Sequence, residues 1–147
     1  MDARIRTAQK IDTAELFDIV VDLEPRLDFG AGPLGRRVLF RAAGGSFEGE
    51  RLRGTVVTGG GDWALFRPDG TMLLDVRLTL RTDDEELVHM TYQGRWVRSI
   101  DPERGYFRTA PLFETGSTRY GWLNDIVCVG TGYLVDGGVA YHVEQVL

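Results

Sequence analysis

The sequence predicts an all-β domain, a single antiparallel β-barrel of about eight or more strands with at most short helices. Three observations carry this. Apolar residues recur at every second position in run after run, and turn sequences separate the runs. No segment keeps a 3.6-residue apolar period for three full turns. At 147 residues and 43% hydrophobic composition, residues 1–147 form one domain, large enough to bury a core without staples. A barrel is preferred to a sandwich because closure removes exposed strand edges without added helices.

Residues 1–14 read as an irregular or edge segment, or a short helix that Asp12 or Thr13 would cap. In "ELFDIVVDL", Phe17, Ile19, Val21 and Leu23 share one face, opposite Asp18 and Asp22. Arg37–Ala42 and Leu52–Thr58 are the next strand-like runs. Between Gly44 and Gly61 stand seven glycines, interrupted by Phe47, Leu52, Val56 and Val57 too regularly for a linker. Glycines in such strands mark bulges or barrel corners. "MLLDVRLTL" then puts Leu74, Val76, Leu78 and Leu80 on one face and Asp75, Arg77 and Thr79 on the other. Glu86–Val97, Asp125–Val135 and Val139–Leu147 complete the strands, with room for a short helix in "STRYGWLN". The turns are Pro68–Gly70, Thr82–Glu85, Asp101–Gly105 and Asp136–Gly138, the last a strong hairpin signal.

Net charge is −5, with arginines scattered along the chain. Phosphate-backbone binding needs a concentrated basic footprint, so nucleic acid is not an expected partner. No apolar run approaches the ~20 residues that span a bilayer, and "MDARIRTAQK" lacks the apolar stretch of a secretory signal. No membrane association is expected, and the default location is cytoplasmic. The single cysteine, Cys128, cannot form an intrachain disulfide and reads as a buried, inert thiol. His89 and His142 have no ligand-spaced neighbours, so no metal is expected. No cofactor is expected either: "TGGGDW" lacks the Lys-Ser/Thr ending of a phosphate loop, and GxSxG is absent. His89 is read as structural rather than as a base.

Several residues remain as candidates for chemistry. Asp75 and Arg77 lie two strand positions, ~6.6 Å, apart on one face. They are either a solvent-facing pair or a lumen pair, in which Arg77 would hold an anion and Asp75 would orient it or move protons. In "YFRTAPLFETG", an unbroken strand would place Arg108 and Glu114 on one side but ~20 Å apart, too far to pair, and Pro111 can break the register. Asp62 and Trp63 follow a triple-glycine bend, while Trp122 and Asn124 end the "RYGWLN" connection. Such aromatic residues suit both cores and pocket walls.

"GGSFEGERLRGTVVTGGGDW", "DGTMLLDVRLTLRTDD", "YFRTAPLFETG" and "YGWLN", in this order and spacing, resemble the domain-of-unknown-function 3237 family, also called UPF0311. The resemblance runs from about Val20 to the last residue. It implies a single barrel of the lipocalin-like or allene-oxide-cyclase-like kind, with no general activity established for the family. Similar barrels hold small hydrophobic ligands, and some catalyse cyclisation or lyase steps on polyketide or aromatic substrates. The matching positions are Gly60, Asp62, Trp63, Asp75, Arg77, Arg108, Glu114, Tyr120, Trp122 and Asn124. The resemblance also implies that Asp75 and Arg77 face the lumen.

The leading expectation is therefore a cofactor-independent lyase, isomerase or cyclase acting on a small aromatic or oxygenated substrate. Glu114, Asp62 or Asp75 would be the acid/base. Arg77 and Arg108 would stabilise a developing anion, and Trp63, Tyr120, Trp122 and Asn124 would bind substrate. The alternatives are a carrier or sensor barrel without chemistry, and an interaction module. The expected partner is a small organic ligand, aromatic or anionic, with a homodimer as the commonest assembly.

Overall fold

The computed structural model describes residues 1–101 and 105–147. Pro102, Glu103 and Arg104, the middle of the Asp101–Gly105 turn, lie outside the described residues. The strands are β1 (Thr13–Leu23), β2 (Leu27–Gly32), β3 (Gly35–Glu48), β4 (Arg53–Phe66), β5 (Met72–Thr82), β6 (Leu87–Val97), β7 (Tyr106–Thr109), β8 (Leu112–Glu114), β9 (Cys128–Val135) and β10 (Gly138–Val146). The order β1-β10-β9-β7-β6-β5-β4-β3 returns to β1 through a β1–β3 ladder, which closes an antiparallel barrel of eight strands. Two short strands are extra. β8 runs beside β6, and β2 pairs with the first part of β3.

Closure decides which face of each strand is inside. Along β5, Met72, Leu74, Val76, Leu78 and Leu80 are buried while Asp75, Arg77 and Arg81 are exposed. The pleat alternates side chains, so an apolar set facing the lumen sends the charges between them outward. The glycine-rich stretch serves close approach and bulging. Pairing of β3 with β4 shifts between Arg41 and Ser46, and that of β4 with β5 shifts between Val57 and Gly61. Gly45 has φ +135°, and a Cβ there would stand 2.0 Å from the Val20 carbonyl oxygen. Only glycine lets β1 reach β3 at this point.

The two ends of the barrel differ. One is plugged by Leu16, Phe17, Phe47, Leu52, Phe113 and Leu123, all buried. The Phe17 ring meets Phe47 and Phe113 at centroid distances of 5.3 and 5.8 Å. A 3-10 helix over Gly121–Asp125 supplies Leu123 to this plug, in the "STRYGWLN" connection where a short helix was expected. Each large apolar side chain buried there contributes about 1.5–3 kcal/mol. The opposite end, where β4 and β6 finish and β5 and β10 begin, opens into a cavity.

Three sequence expectations are corrected or extended. Residues 1–12 form no helix and are exposed. Leu52–Thr58 is only the first half of a strand that runs through the triple glycine to Phe66. β2 has no strong alternation of its own and forms because its hairpin turn at Gly32–Gly35 lays it on β3.

Candidate active site

The open end encloses a cavity of about 240 Å³ inside the barrel. Its lining is largely apolar and aromatic, from β1, β3 to β7, β9 and β10, with Phe40, Val76, Trp96 and Phe107 among the walls. Neighbouring strands place side chains in rows across the wall. Phe40 pairs with Asp62, Asp62 with Val76, and Val76 with Tyr92. Asp62 is therefore carried to the inner face by the same alternation that buries Ala64 beside it on β4. Tyr141 on β10 and Tyr92 on β6 meet edge to face across the lumen, with ring centroids 5.3 Å apart. Phe107 stands edge-on to Tyr141 at 5.5 Å and stacks on Trp96 at 4.9 Å. Gly132 on β9 makes room for that ring, since a Cβ there would lie 2.7 Å from it.

Asp62 is the one acidic residue lining this cavity among the described residues. Its Oδ1 accepts a hydrogen bond from the Asp75 backbone N–H at 2.9 Å, which fixes the carboxyl and leaves Oδ2 without a protein partner among the described residues. Burial pushes its pKa up to about 7. The hydrogen bond and the Arg37 charge oppose the shift, while the nearby Asp75 charge adds to it. The Tyr92 and Tyr141 hydroxyls are both raised above the ordinary phenol range, chiefly by burial, with the Asp62 charge adding to each shift. The lumen thus holds one carboxyl that titrates near neutrality beside two hydroxyls that stay protonated. Such a set can take a proton, return it, and donate hydrogen bonds to a developing oxyanion.

Of the nine residues nominated from the sequence, only Asp62 lines this cavity. Asp75 and Arg77 are exposed on the outer face of β5, which corrects the lumen-facing placement that the family resemblance implied. The reason is the pleat: Leu74, Val76 and Leu78 hold the inner positions. Arg108 and Glu114 are exposed on β7 and β8, which Ala110 and Pro111 separate, and they do not pair with each other. Arg108 lies 5.1 Å from the Tyr106 ring and donates to the Phe107 carbonyl at 3.0 Å, and Glu114 stands opposite His89. Trp63 is outside on β4, and its carbonyl accepts from Arg37 at 2.9 Å.

Tyr120, Trp122 and Asn124 are at the plugged end, away from the cavity. The Tyr120 hydroxyl donates to Asp84 at 2.7 Å, and the Arg51 guanidinium sits 3.4 Å over the Trp122 ring. Asn124 Oδ1 accepts from the Thr115 N–H at 2.8 Å, and its Nδ2 donates to the Thr115 carbonyl at 3.0 Å. These three residues fasten the plug. Tyr92 and Tyr141 escaped the sequence reading, although each is a hydroxyl-bearing residue on an otherwise apolar strand face, beside Val88 and Met90 or Val143. Cys128 is buried, with its thiol pushed up to about 11 by burial.

Among the described residues, no cluster of three or more His, Cys, Asp or Glu side chains is placed to hold a metal ion, and no helix is long and apolar enough to cross a membrane. A model of a family described as "Protein of unknown function (DUF3237)" matches residues 12–146. A UPF0311 protein of Clostridium acetobutylicum is 30% identical over 138 residues, covering 85% of this chain and 87% of that protein. A β-barrel-like protein from Acinetobacter baumannii superposes with a TM-score of 0.89 at 28% identity, over 96% of this chain and 99% of that one. A protein described as an enzyme from Penicillium herquei superposes with a TM-score of 0.77 over 97% of this chain and 98% of that one. At 23% identity it shares the fold alone.

Proposed function

The chain belongs to the DUF3237 family of proteins of unknown function, and from that premise we propose that it is a cofactor-independent acid/base enzyme. Its substrate is a small aromatic or oxygenated organic molecule held in the lumen, and its reaction is of the lyase, isomerase or cyclase type. The observation that carries this reading is Asp62, a buried carboxyl with a pKa of about 7 in an aromatic cavity. A carrier has no need of a carboxyl held near neutrality in a dry pocket, whereas proton transfer works best from such a group. Description of the fold neighbour from Penicillium herquei as an enzyme is consistent with catalysis on this barrel and adds only an analogy.

In the proposed chemistry, Asp62 Oδ2 takes a proton from a carbon next to a carbonyl, and the electron pair moves onto the carbonyl oxygen. A Tyr92 or Tyr141 hydroxyl donates to that oxygen. The proton then returns from Asp62 to another carbon or to a leaving oxygen, so no oxidant, reductant or co-reactant is required. The default setting for this activity is a cytoplasmic protein, with a homodimer as the commonest assembly.

Deuterium exchange tests the reading. 1-Tetralone in D2O, followed by NMR, should exchange its α-protons faster with protein than with buffer. The rate should rise with pH through about 7, as Asp62 ionises. Asp62→Asn should remove at least about 100-fold of the enhancement. Equal exchange by wild type and Asp62→Asn would leave a binding barrel without chemistry as the better account.

A further inference from the structure

Among the described residues, the charged side chains at the mouth of the cavity are of one sign. Arg26, in the β1–β2 connection, and Arg98, one residue past the end of β6, both line it. The Arg98 guanidinium lies 5.5 Å from each of the Phe66 and Trp96 ring centroids, rings that themselves form the rim. Stacking on them holds the cation over the opening. Arg36, Arg41, Arg53, Arg67 and Arg81 meet carboxylates, whereas Arg37, Arg95 and Arg108 donate to backbone carbonyls on the outer wall. Among the described residues, Arg26 and Arg98 have no such partner. What sets these two apart is that both line the same cavity opening, where two guanidinium groups are arranged as an anion would require.

Size and direction follow from the same geometry. A volume of 240 Å³ equals about eight waters at ~30 Å³ each, which suits one or two fused rings. From Tyr92, in the Asp62 row on β6, to Arg98 just past that strand is six positions, or ~20 Å of extended chain and roughly 15 Å along the axis of a tilted barrel. The arginine side chain folds back over Phe66 and Trp96, which shortens that span toward the length of a two-ring acid. The opposite orientation would bury an anion against Asp62, and two carboxylates sharing a dry site repel.

Building on the acid/base reading, we infer that the substrate class is a small aromatic carboxylate of one or two rings. Its carboxylate lies at the mouth between Arg26 and Arg98, and its carbonyl or phenolic end reaches Asp62 and the two tyrosines. The arginines are binding and orienting residues and take no part in proton transfer.

Calorimetric titration of the full chain separates this from its failure. The probes are benzoate and 2-naphthoate, each beside its neutral amide. The carboxylates should bind about tenfold more tightly than the amides. Raising salt should shrink the ratio, and Arg26→Gln/Arg98→Gln should bring it to about one. A ratio near one in the wild type, or a ratio that survives in the double variant, overturns the anchor. Because the experiment reads binding alone, a ratio near one with both probes bound leaves the acid/base reading standing. Failure of every probe to bind removes both readings.

Discussion

Asp62→Asn should change how stability depends on pH, by an amount the structure fixes. Asp62 has a pKa of 3.8 when solvated and about 7 in the folded barrel. A carboxyl whose folded pKa is raised favours the folded state while protonated. That contribution is fully present below about pH 4 and is lost as pH rises through about 7. At 1.36 kcal/mol per unit, the whole loss is about 4 kcal/mol. Between about pH 5 and about pH 9 the difference in stability between wild type and Asp62→Asn should close by about 3 kcal/mol, at the expense of the wild type. Asparagine keeps the acceptor for the Asp75 N–H and has no proton to lose, so other titrating groups cancel in the comparison. Urea unfolding at several pH values reads the effect. With a slope of about 2 kcal/mol per molar, the gap between the two midpoints should move by about 1.5 M. Midpoints that stay parallel across this range would refute the claim that burial governs Asp62, and with it the basis for proton transfer near neutrality.

Two other substitutions test the placement of the site. Gly132→Ala should cost about 1–3 kcal/mol, measured by urea unfolding, because the new methyl meets a ring already packed against Trp96 and Tyr141. The displaced Phe107 should also weaken 2-naphthoate binding. Glu114→Gln and Arg77→Ala, on the outer wall, should each change stability by less than about 0.5 kcal/mol and leave tetralone exchange at the wild-type rate. A large loss of exchange in either variant would contradict the assignment of the lumen as the reacting site.

The barrel is legible in the sequence because closure and alternation are both local patterns: "MLLDVRLTL" declares its inner face, and the glycines of β3 and β4 declare bends. Asp62 is legible for the same reason, as an acid following the glycine bulge. The family resemblance led away from the answer for Asp75 and Arg77. Their own strand already assigns the inner face to Leu74, Val76 and Leu78, and a barrel this narrow fills its inner face with such residues. Arg26 and Arg98 are not legible, since both lie at strand ends and acquire a role only when distant strands bring Phe66, Trp96 and Leu23 around one opening. Tyr120, Trp122 and Asn124 show the converse: aromatic and polar residues in one short connection suggest a pocket, yet their partners Asp84, Arg51 and Thr115 make a fastening.

The β1–β10 ladder sets the order in which the site can come into being. Ile19 pairs with Tyr141, about 120 residues later, and closing a loop of that length costs about 4 kcal/mol of chain entropy. During synthesis β3 to β6 can zip as successive hairpins, bringing Asp62 and Tyr92 into one row early. Tyr141 joins them only with the last strand, in the same event that gives β1 its second neighbour and seals the wall. A nascent chain still short of β10 therefore carries an open, curled sheet with its carboxyl wet, an ordinary aspartate of ordinary acidity. The unusual acid is a property of the finished barrel and is born with it.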